Sequence, residues 1–231
     1  AAFAARHIVA RRFHHAPVVE KRHADPAGGG RRHRELDAAV PDDMARRSWH
    51  HVRLYTVGHS TRSLDELVEL LRAFGISLLV DIRTVPRSRR NPQFNIDALP
   101  GALADLGLDY VHLPRLGGLR RVRGDSVNTA WRNASFQGYA DHMQSEEFEA
   151  GLAELHGHLV DPARRGPGAL MCAEAVPWRC HRSLVADALT ARGAEVQHIL
   201  STKRAQPHRM TPFARVDGER VTYPGQADAG G

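Results

Sequence analysis

The feature that most constrains this chain is the alternation of short apolar segments with longer amphipathic ones. Five short segments have the composition of strands, at residues 54–57, 76–82, 110–113, 169–172 and 196–200. The sequence between them predicts helices from Ser63 to Gly75, at about 97–106, between 136 and 160, and over 181–191. Strands that alternate with helices form a parallel sheet covered on both faces. We therefore predict a three-layer α/β fold whose mostly parallel sheet has about five strands.

Local signals support several of these elements. The segment Ser63–Glu66 has the spacing of a capping box, with the serine at the cap and the glutamate three residues later. Residues 76–82 are almost entirely apolar, as in a strand that is buried on both faces. Near the C-terminus, 213–216 and 220–223 flank an Asp-Gly turn. That arrangement predicts a β-hairpin.

Composition divides the chain into three parts. Residues 1–52 are rich in Arg and His, show no apolar periodicity, and hold ten basic and six acidic residues of a chain with net charge +6. We predict that 1–52 is a low-order leader, because such a sequence buries too little apolar surface to become ordered. A start codon assigned upstream of a true start at Met44 is the alternative. Residues 53–224 form the predicted single α/β domain, and 225–231 a flexible tail.

Composition also excludes several classes of protein. Two cysteines cannot make a disulfide-stapled scaffold or a zinc site of four cysteines. No run of 18 apolar residues occurs, so no membrane-spanning helix is expected. The N-terminal residues lack the apolar core and cleavage site of a secretion signal. We therefore expect a cytoplasmic protein that does not bind membranes.

Polar and reactive side chains follow the ends of the predicted strands. They are His59 and Ser60 after the first strand, Asp81 and Arg83 at the second, Cys172 and Glu174 at the fourth, and Cys180, His181 and Arg182 where the next helix begins. Ligands of open α/β sheets bind beyond the carboxyl ends of the strands. We therefore predict that these residues surround one crevice, in which Ser60, Asp81, His181 and Arg182 contact the ligand.

The two cysteines are the strongest candidates for chemistry. Cys180 lies at a predicted helix N-terminus, where the helix dipole favours a thiolate. We predict that Cys172 or Cys180 is a nucleophile. Glu174 and His59 would then carry protons. The alternatives are that Cys172 is a small core residue, that the two cysteines form a disulfide, which a reducing cytoplasm disfavours, and that Arg182 only pairs with Glu174. The spacing fits no standard zinc site, so no metal is predicted.

A basic loop follows the second strand. Arg83, Arg89 and Arg90 lie close together in it, and Asn91 stands beside them. Guanidinium groups bind phosphate, which predicts that this loop holds an anionic part of the ligand. Two plainer interpretations compete, namely a solvated basic loop and an ion pair between Asp81 and Arg83 that only fixes the loop.

Eight segments at or near the predicted strand ends have a recognisable sequence. They are Tyr55–Ser60, Leu79–Arg83, Ser88–Phe94, Tyr110–Pro114, Leu116–Gly118, Phe136–Tyr139, Met171–Glu174 and Cys180–Ser183. Together they resemble the family of domain of unknown function 488, and the resemblance covers about residues 53–224. It implies no settled activity, but it supports one shared site.

The sequence leads to one function hypothesis and two alternatives. We predict an enzyme that acts on a phosphate-bearing ligand, nucleotide or nucleic-acid-derived, through a crevice of Cys, His, Glu and Arg side chains. One alternative is a nucleic-acid-binding module without catalysis. The other is a metal-binding or redox protein that uses Cys172, Glu174, Cys180 and His181. No cofactor is assigned, and the oligomeric state stays open.

Overall fold

The computed structural model describes residues 49–225 of the 231-residue chain. The strands in this part are β1 Arg53–Gly58, β2 Leu78–Asp81, β3 Asp109–His112, β4 Gly168–Cys172, β5 Glu195–Ser201, β6 Arg204–Pro207, β7 Arg215–Asp217 and β8 Arg220–Thr222. The α-helices are α1 Leu64–Ala73, α2 Leu99–Asp105, α3 Ala134–His142, α4 Glu146–Val160 and α5 Arg182–Ala191. Short 3₁₀ turns occupy Pro92–Phe94, Pro114–Leu116 and Pro177–Arg179.

Six strands form one mixed sheet in the order β3-β2-β4-β1-β5-β6. The first five strands are parallel, and β6 is antiparallel to β5 at the edge. Strands β7 and β8 form a separate hairpin. The mostly parallel α/β sheet and the C-terminal hairpin are therefore confirmed. Strand β6 was not predicted, because its polar residues lack the apolar pattern of a buried strand.

The helices cover the two faces of the sheet in two groups. Helices α1 and α2 pack on one face, where the core includes Val57, Leu79 and Met171. Helices α3, α4 and α5 pack on the other face, where Leu54 and Leu170 are buried. The helices that follow β1 and β2 therefore cover one face of the sheet. The helix that follows β4, which lies between these two strands, covers the other face. Adjacent strands with opposite exits open a crevice at their carboxyl ends.

Two local details follow from helix capping. The predicted capping box is present, since Ser63 accepts from the Glu66 N–H at 3.1 Å and the Ser63 N–H donates to the Glu66 carboxylate at 2.7 Å. The helical sequence predicted between 136 and 160 forms two helices, α3 and α4. The break has a physical cause, because the Ser145 hydroxyl accepts from the Phe148 N–H at 3.2 Å and so caps a new helix.

The predicted leader and tail fall largely outside the described residues, since 1–48 and 226–231 are not described. Trp49 and Val52 belong to the predicted leader but are buried in the core beside α4 and α5. The core therefore includes residues that precede the predicted domain boundary at residue 53. Among residues 49–225, no helix combines the length and the apolar character that crossing a membrane requires.

Candidate functional site

The carboxyl ends of β1, β2 and β4 lie side by side at one edge of the sheet. In the parallel register Gly58 pairs with Cys172, and Asp81 pairs with Met171. The backbone N–H of His59 donates to the Cys172 carbonyl at 3.0 Å. The chain segments that follow these three strands are therefore brought together, as the sequence led us to expect.

The two cysteine side chains are in direct contact. Both are buried, and the Cys180 thiol donates to Cys172 Sγ at 2.6 Å. Burial opposes ionisation of Cys172, but the hydrogen bond from Cys180 and the charge of Arg182 outweigh it and lower the pKa of the Cys172 thiol. The same contact with Cys172, together with burial, raises the pKa of Cys180 well above its ordinary value. The geometry thus favours Cys172 as the thiolate, although Cys180 is the cysteine beside the helix N-terminus.

Arg182 is a buried cation next to this thiol pair. Its side chain is 1 % exposed, and its Nη1 lies 3.1 Å from Cys172 Sγ. The guanidinium also donates to the backbone carbonyls of Glu174 and Ala175, at 3.0 and 3.1 Å. The alternative of a pair between Arg182 and Glu174 is therefore met only by a contact to the Glu174 backbone carbonyl. Within residues 49–225, no carboxylate forms an ion pair with Arg182.

Gly58 makes room for this arrangement. A Cβ on Gly58 would lie 1.8 Å from the Glu174 carbonyl oxygen and 2.7 Å from Arg182 Nη1. These distances are far inside van der Waals contact, so no side chain fits between the end of β1 and the loop after β4. A glycine here permits the close approach of two backbones that seats the Arg182 guanidinium.

Asp81 holds Arg83 in a fixed orientation. The guanidinium of Arg83 contacts both carboxylate oxygens of Asp81, with Nε at 2.9 and 3.1 Å and Nη2 at 2.5 Å. Arg83 Nη2 also donates to the Phe94 carbonyl at 2.7 Å, and the Tyr110 hydroxyl donates to Asp81 at 2.8 Å. Both Asp81 and Arg83 are buried. The ion-pair interpretation of Asp81 is therefore correct geometrically, and it orients an arginine that lines the cavity described below.

His59 lies beside Arg83, and its two hydrogen-bond partners determine which ring nitrogen carries the proton. Its Nδ1 is 2.9 Å from the Ser60 carbonyl and its Nε2 is 3.3 Å from Arg83 Nη1. Nδ1–H therefore donates, and Nε2 accepts from the guanidinium. Burial lowers the pKa of His59 to about 4, and its ring stacks on Phe94 at 4.3 Å. Both ring nitrogens are engaged in hydrogen bonds, so the ring positions Arg83.

Ser60 has a φ of +49°, the only positive value among the described non-glycine residues.

His181 connects the thiol pair to the end of β2. Its Nε2 is 3.0 Å from the Ile82 carbonyl, and its Nδ1 is 3.4 Å from Cys180 Sγ. Burial lowers the pKa of His181 to about 4, so the ring is neutral and its Nδ1 is an acceptor. The Cys180 proton thus has two acceptors within reach, Cys172 Sγ and His181 Nδ1.

A cavity of about 390 Å³ opens beside these groups. Its polar lining comes from Arg83, Glu174, Arg179, His181 and the two cysteines, and its apolar lining includes Val85, Leu119 and Phe136. We call it the thiol cavity. Glu174 and Arg179 are exposed at its mouth. Phe136 begins one of the segments that carry the family resemblance. Arg179, Val85 and Leu119 were not singled out from the sequence, since neither residue type nor spacing marks them.

The other predicted ligand-binding residues lie nearby but outside this lining. Arg89 and Arg90 are exposed on the loop after β2, and Arg89 lines a separate depression with Arg87. Asn91 donates its backbone N–H to the Ser88 hydroxyl and precedes the 3₁₀ turn at Pro92. The structure therefore separates Arg89, Arg90 and Asn91 from Arg83, which alone among the predicted loop arginines lines the thiol cavity.

A chain of buried polar groups that was not predicted from the sequence lies against α5. Thr56 Oγ1 is 2.7 Å from His198 Nδ1, His198 Nε2 is 2.9 Å from His208 Nδ1, and His208 Nε2 is 2.8 Å from Asp187 Oδ1. Burial lowers the pKa of His198 to about 3. A neutral His198 accepts from the Thr56 hydroxyl and donates to His208, which donates to Asp187. The signal available in the sequence was Asp187, a single acidic residue within the apolar helical segment 184–189.

No group of three or more His, Cys, Asp or Glu residues within 49–225 has the arrangement of a metal site. The metal-binding alternative therefore has no geometric support in this part of the chain. The thiol pair, by contrast, keeps both the nucleophile hypothesis and the redox alternative open.

Comparison with known proteins adds one finding. A family model described as "Domain of unknown function DUF488" matches residues 63–189. The matched part runs from the start of α1 into α5 and contains Asp81, Arg83 and both cysteines, whereas His59 and Ser60 precede it. No curated protein matches the chain. No solved structure matches it either.

Proposed function

Because the chain belongs to the family of domain of unknown function DUF488, a name that assigns no activity, we propose a function from the site itself. The protein is a thiol-dependent enzyme that acts on a phosphate-bearing ligand, with Cys172 as nucleophile. A nucleotide or a nucleic-acid-derived ester is the expected substrate class.

One observation carries this proposal, the contact between Arg182 and Cys172. A buried cation is strongly unfavourable unless a negative group lies beside it. Arg182 is 1 % exposed and has Cys172 Sγ at 3.1 Å, while its remaining acceptors are neutral carbonyls. A thiolate at Cys172 supplies the missing negative charge. A thiolate that lines a cavity is a nucleophile.

The arginines around the cavity support an anionic substrate. Asp81, Phe94 and His59 account for four of the N–H donors of Arg83, which leaves one on Nη1 without an acceptor among residues 49–225. Arg179 is exposed at the mouth and contacts no acceptor in the described part of the chain. Two guanidinium groups beside a thiolate suit a phosphate, and the apolar lining suits its organic substituent.

The chemistry follows from these positions. Cys172 Sγ attacks phosphorus, the S–P bond forms, and the P–O bond to the organic group breaks. The leaving oxygen takes up a proton that Glu174 delivers from solvent water. Water then attacks phosphorus while the Glu174 carboxylate takes one of its protons, which releases phosphate and restores the thiolate beside Arg182. The net reaction is hydrolysis of a phosphate ester, and no redox partner is needed.

The test uses the full chain with p-nitrophenyl phosphate and nucleoside 5′-monophosphates as probes. We expect phosphate release that falls about a thousandfold or more in Cys172→Ser, because the nucleophile is lost. Cys180→Ser is the matched control, since a hydroxyl still donates to Cys172 and activity is largely kept. Glu174→Gln should lower turnover more than it raises KM. Absence of phosphate release from every probe, or full activity in Cys172→Ser, would refute the proposal.

A second candidate function is favoured by the 2.6 Å distance between the two sulfur atoms. In thiol–disulfide exchange Cys172 Sγ attacks a substrate disulfide and releases one thiolate. Cys180 then loses its proton and attacks Cys172 Sγ, which releases the second thiol and leaves a Cys172–Cys180 disulfide. With oxidised glutathione as the probe, the parent should form this internal disulfide, whereas Cys180→Ser should retain glutathione on Cys172. If neither the internal disulfide nor the glutathione adduct forms, this candidate is excluded. The test with phosphate esters is not affected by that result.

A further inference from the structure

A second and larger cavity lies on the other side of the turn that joins the two cysteines. Its volume is about 920 Å³, and its principal lining residues are Trp131, Trp178, Arg204, His208, Arg209 and Phe213. We call it the tryptophan cavity. None of its lining residues is acidic. The proposed chemistry at Cys172 makes no use of it.

Aromatic faces in this cavity are open to solvent. Trp178 is 62 % exposed and Phe213 is 41 % exposed. Trp178 therefore does not cap the core, one of the roles that an aromatic residue in this loop could have had. Its neighbour Pro177 is buried and fixes the 3₁₀ turn that presents the indole. A large aromatic face held outward by a rigid turn is suited to stacking against a flat ligand.

Positive charge accompanies these aromatic faces. Arg204 and Arg209 are exposed, and neither side chain contacts an acceptor among residues 49–225. Since no acid in the described part of the chain lines the cavity, the charge of both guanidinium groups is available to a ligand. A stacking face combined with unpaired arginines is the arrangement that holds a base together with its phosphate.

The wall of this cavity is held in place from beneath. Asp187 accepts from the His208 ring at 2.8 Å and from the Thr211 backbone and hydroxyl at 3.0 and 2.7 Å. These bonds fix the segment 207–213, which carries Arg209 and Phe213, against α5. The ligand therefore meets a wall that is already ordered, which reduces the entropy lost on binding.

We propose that the tryptophan cavity binds single-stranded nucleic acid, with a base stacked on Trp178 and backbone phosphates on Arg204 and Arg209. A single strand fits better than a duplex because its bases are free to leave their stack and lie on the indole. The same turn places Arg179 in the thiol cavity and Trp178 in the tryptophan cavity. A strand that crosses the turn therefore has a further phosphate within the reach of Arg179.

The test measures fluorescence anisotropy of fluorescein-labelled ten-nucleotide oligomers of thymidine and of uridine, titrated with the full chain. We expect Trp178→Ala to weaken binding at least fivefold, the lower end of what loss of one stacked base causes. Arg204→Ser and Arg209→Ser should each weaken binding and flatten its dependence on salt. Arg165→Ser is the matched control. Arg165 is an exposed arginine that precedes β4, at the amino end of the parallel strands and away from the cavity.

Three outcomes overturn the proposal. They are absence of binding by the parent at low salt, parent-like affinity in Trp178→Ala, and equal or tighter binding of the corresponding duplex. Cys172→Ser separates this proposal from the proposed chemistry, because it should bind the oligomers as the parent does while phosphate ester hydrolysis is lost.

Discussion

A single residue, Arg182, links the fold to the proposed chemistry. It is the first residue of α5, and its guanidinium reaches back to the end of β4, where it contacts Cys172 and the carbonyls after it. A cation buried at this point favours the charged form of the thiol over the neutral one. The ionisation of Cys172 is therefore a property of the pair.

This pairing predicts the pH dependence of thiol reactivity. Iodoacetamide should modify Cys172 with a midpoint below that of an ordinary thiol, since the cited effects lower its pKa. Arg182→Met should move the midpoint to higher pH by about 1–3 pH units, because a charge at hydrogen-bond distance is removed. Mass spectrometry of the peptide that contains Cys172 gives the rate at each pH. Arg182→Lys is the control that keeps the charge, and an unchanged midpoint in Arg182→Met would contradict the pairing.

Gly58 provides the second prediction at the residue scale. Gly58→Ala should lower the free energy of unfolding by about 1–3 kcal/mol, because its Cβ would overlap the Glu174 carbonyl and force the backbone apart. Gly101→Ala is the control, since Gly101 lies in α2 with open space around its Cβ position and gains helix propensity. Urea denaturation of both variants measures the difference. Equal stability of the two variants would contradict this prediction, because it would mean that the loop after β4 moves aside at no cost in free energy.

At the scale of elements, α5 organises the C-terminal part of the described chain. Asp187 in its middle is fully buried and accepts hydrogen bonds from His208, Thr211 and the Tyr223 hydroxyl. Burial and the adjacent Asp187 carboxylate raise the pKa of Tyr223, so its hydroxyl stays a donor. One carboxylate thus fastens the segment after β6 and the end of β8 to the same helix.

Removal of this carboxylate should therefore loosen a whole segment. Asp187→Ala should cost about 2–4 kcal/mol of unfolding free energy, because several buried donors lose their acceptor together. Hydrogen exchange should rise in residues 207–225 more than in β1 or β4. Asp105→Ala, at an exposed position near the end of α2, is the matched control. Uniform exchange across the sheet after Asp187→Ala would argue against a local anchor.

At the scale of the whole molecule, crossover direction decides where the site lies. Helices α1 and α2 take the chain over one face, and α3 to α5 take it over the other, so β4 ends in the gap between them. The crevice follows from the order of the strands. The residues that fill it determine its chemistry.

Buried neutral histidines make the stability of the molecule sensitive to acid. Burial lowers the pKa of His59 and His181 from 6.5 to about 4 and that of His198 to about 3. Below pH 6.5 the unfolded chain therefore binds protons that the folded chain does not, and the free energy of unfolding falls until the folded pKa is passed. For His59 the full effect is about 3 kcal/mol.

Urea denaturation at pH 7 and pH 5 tests this acid sensitivity. We expect lower stability at pH 5 for the parent, and a smaller difference for His198→Asn, which removes one of the three groups. Equal unfolding free energies of the parent at the two pH values would contradict the assignment of these histidines as neutral.

Much of the sheet could be predicted from the sequence because its strands and caps are local signals. The apolar run 76–82 and the capping box at Ser63 each specify their element through neighbouring residues. Strand β6 could not be predicted, since Arg204–Pro207 becomes a strand only by pairing with β5 at the edge. The break between α3 and α4 depends on the Ser145 cap within otherwise continuous helical sequence.

The site was predictable in its location and not in its detail. Parallel strands have their carboxyl ends at the same end of the sheet whatever the loops do, so the grouping of Cys172 with Arg83 could be expected from the predicted parallel sheet. The lowered pKa of Cys172 depends on the hydrogen bond from Cys180 and on the nearby charge of Arg182, contacts that spacing does not specify. Arg179 and Trp178 enter different cavities because a 3₁₀ turn points neighbouring side chains apart.

The turn Pro177–Arg179 is a wall common to both cavities. A ligand in one cavity that displaces the turn therefore changes the affinity of the other cavity for its own ligand. By the thermodynamic cycle, the second ligand changes the affinity for the first by the same factor. Binding of a base on Trp178 and binding of an ester at the thiol would thus be coupled through the three residues of this turn. The sheet would not need to rearrange.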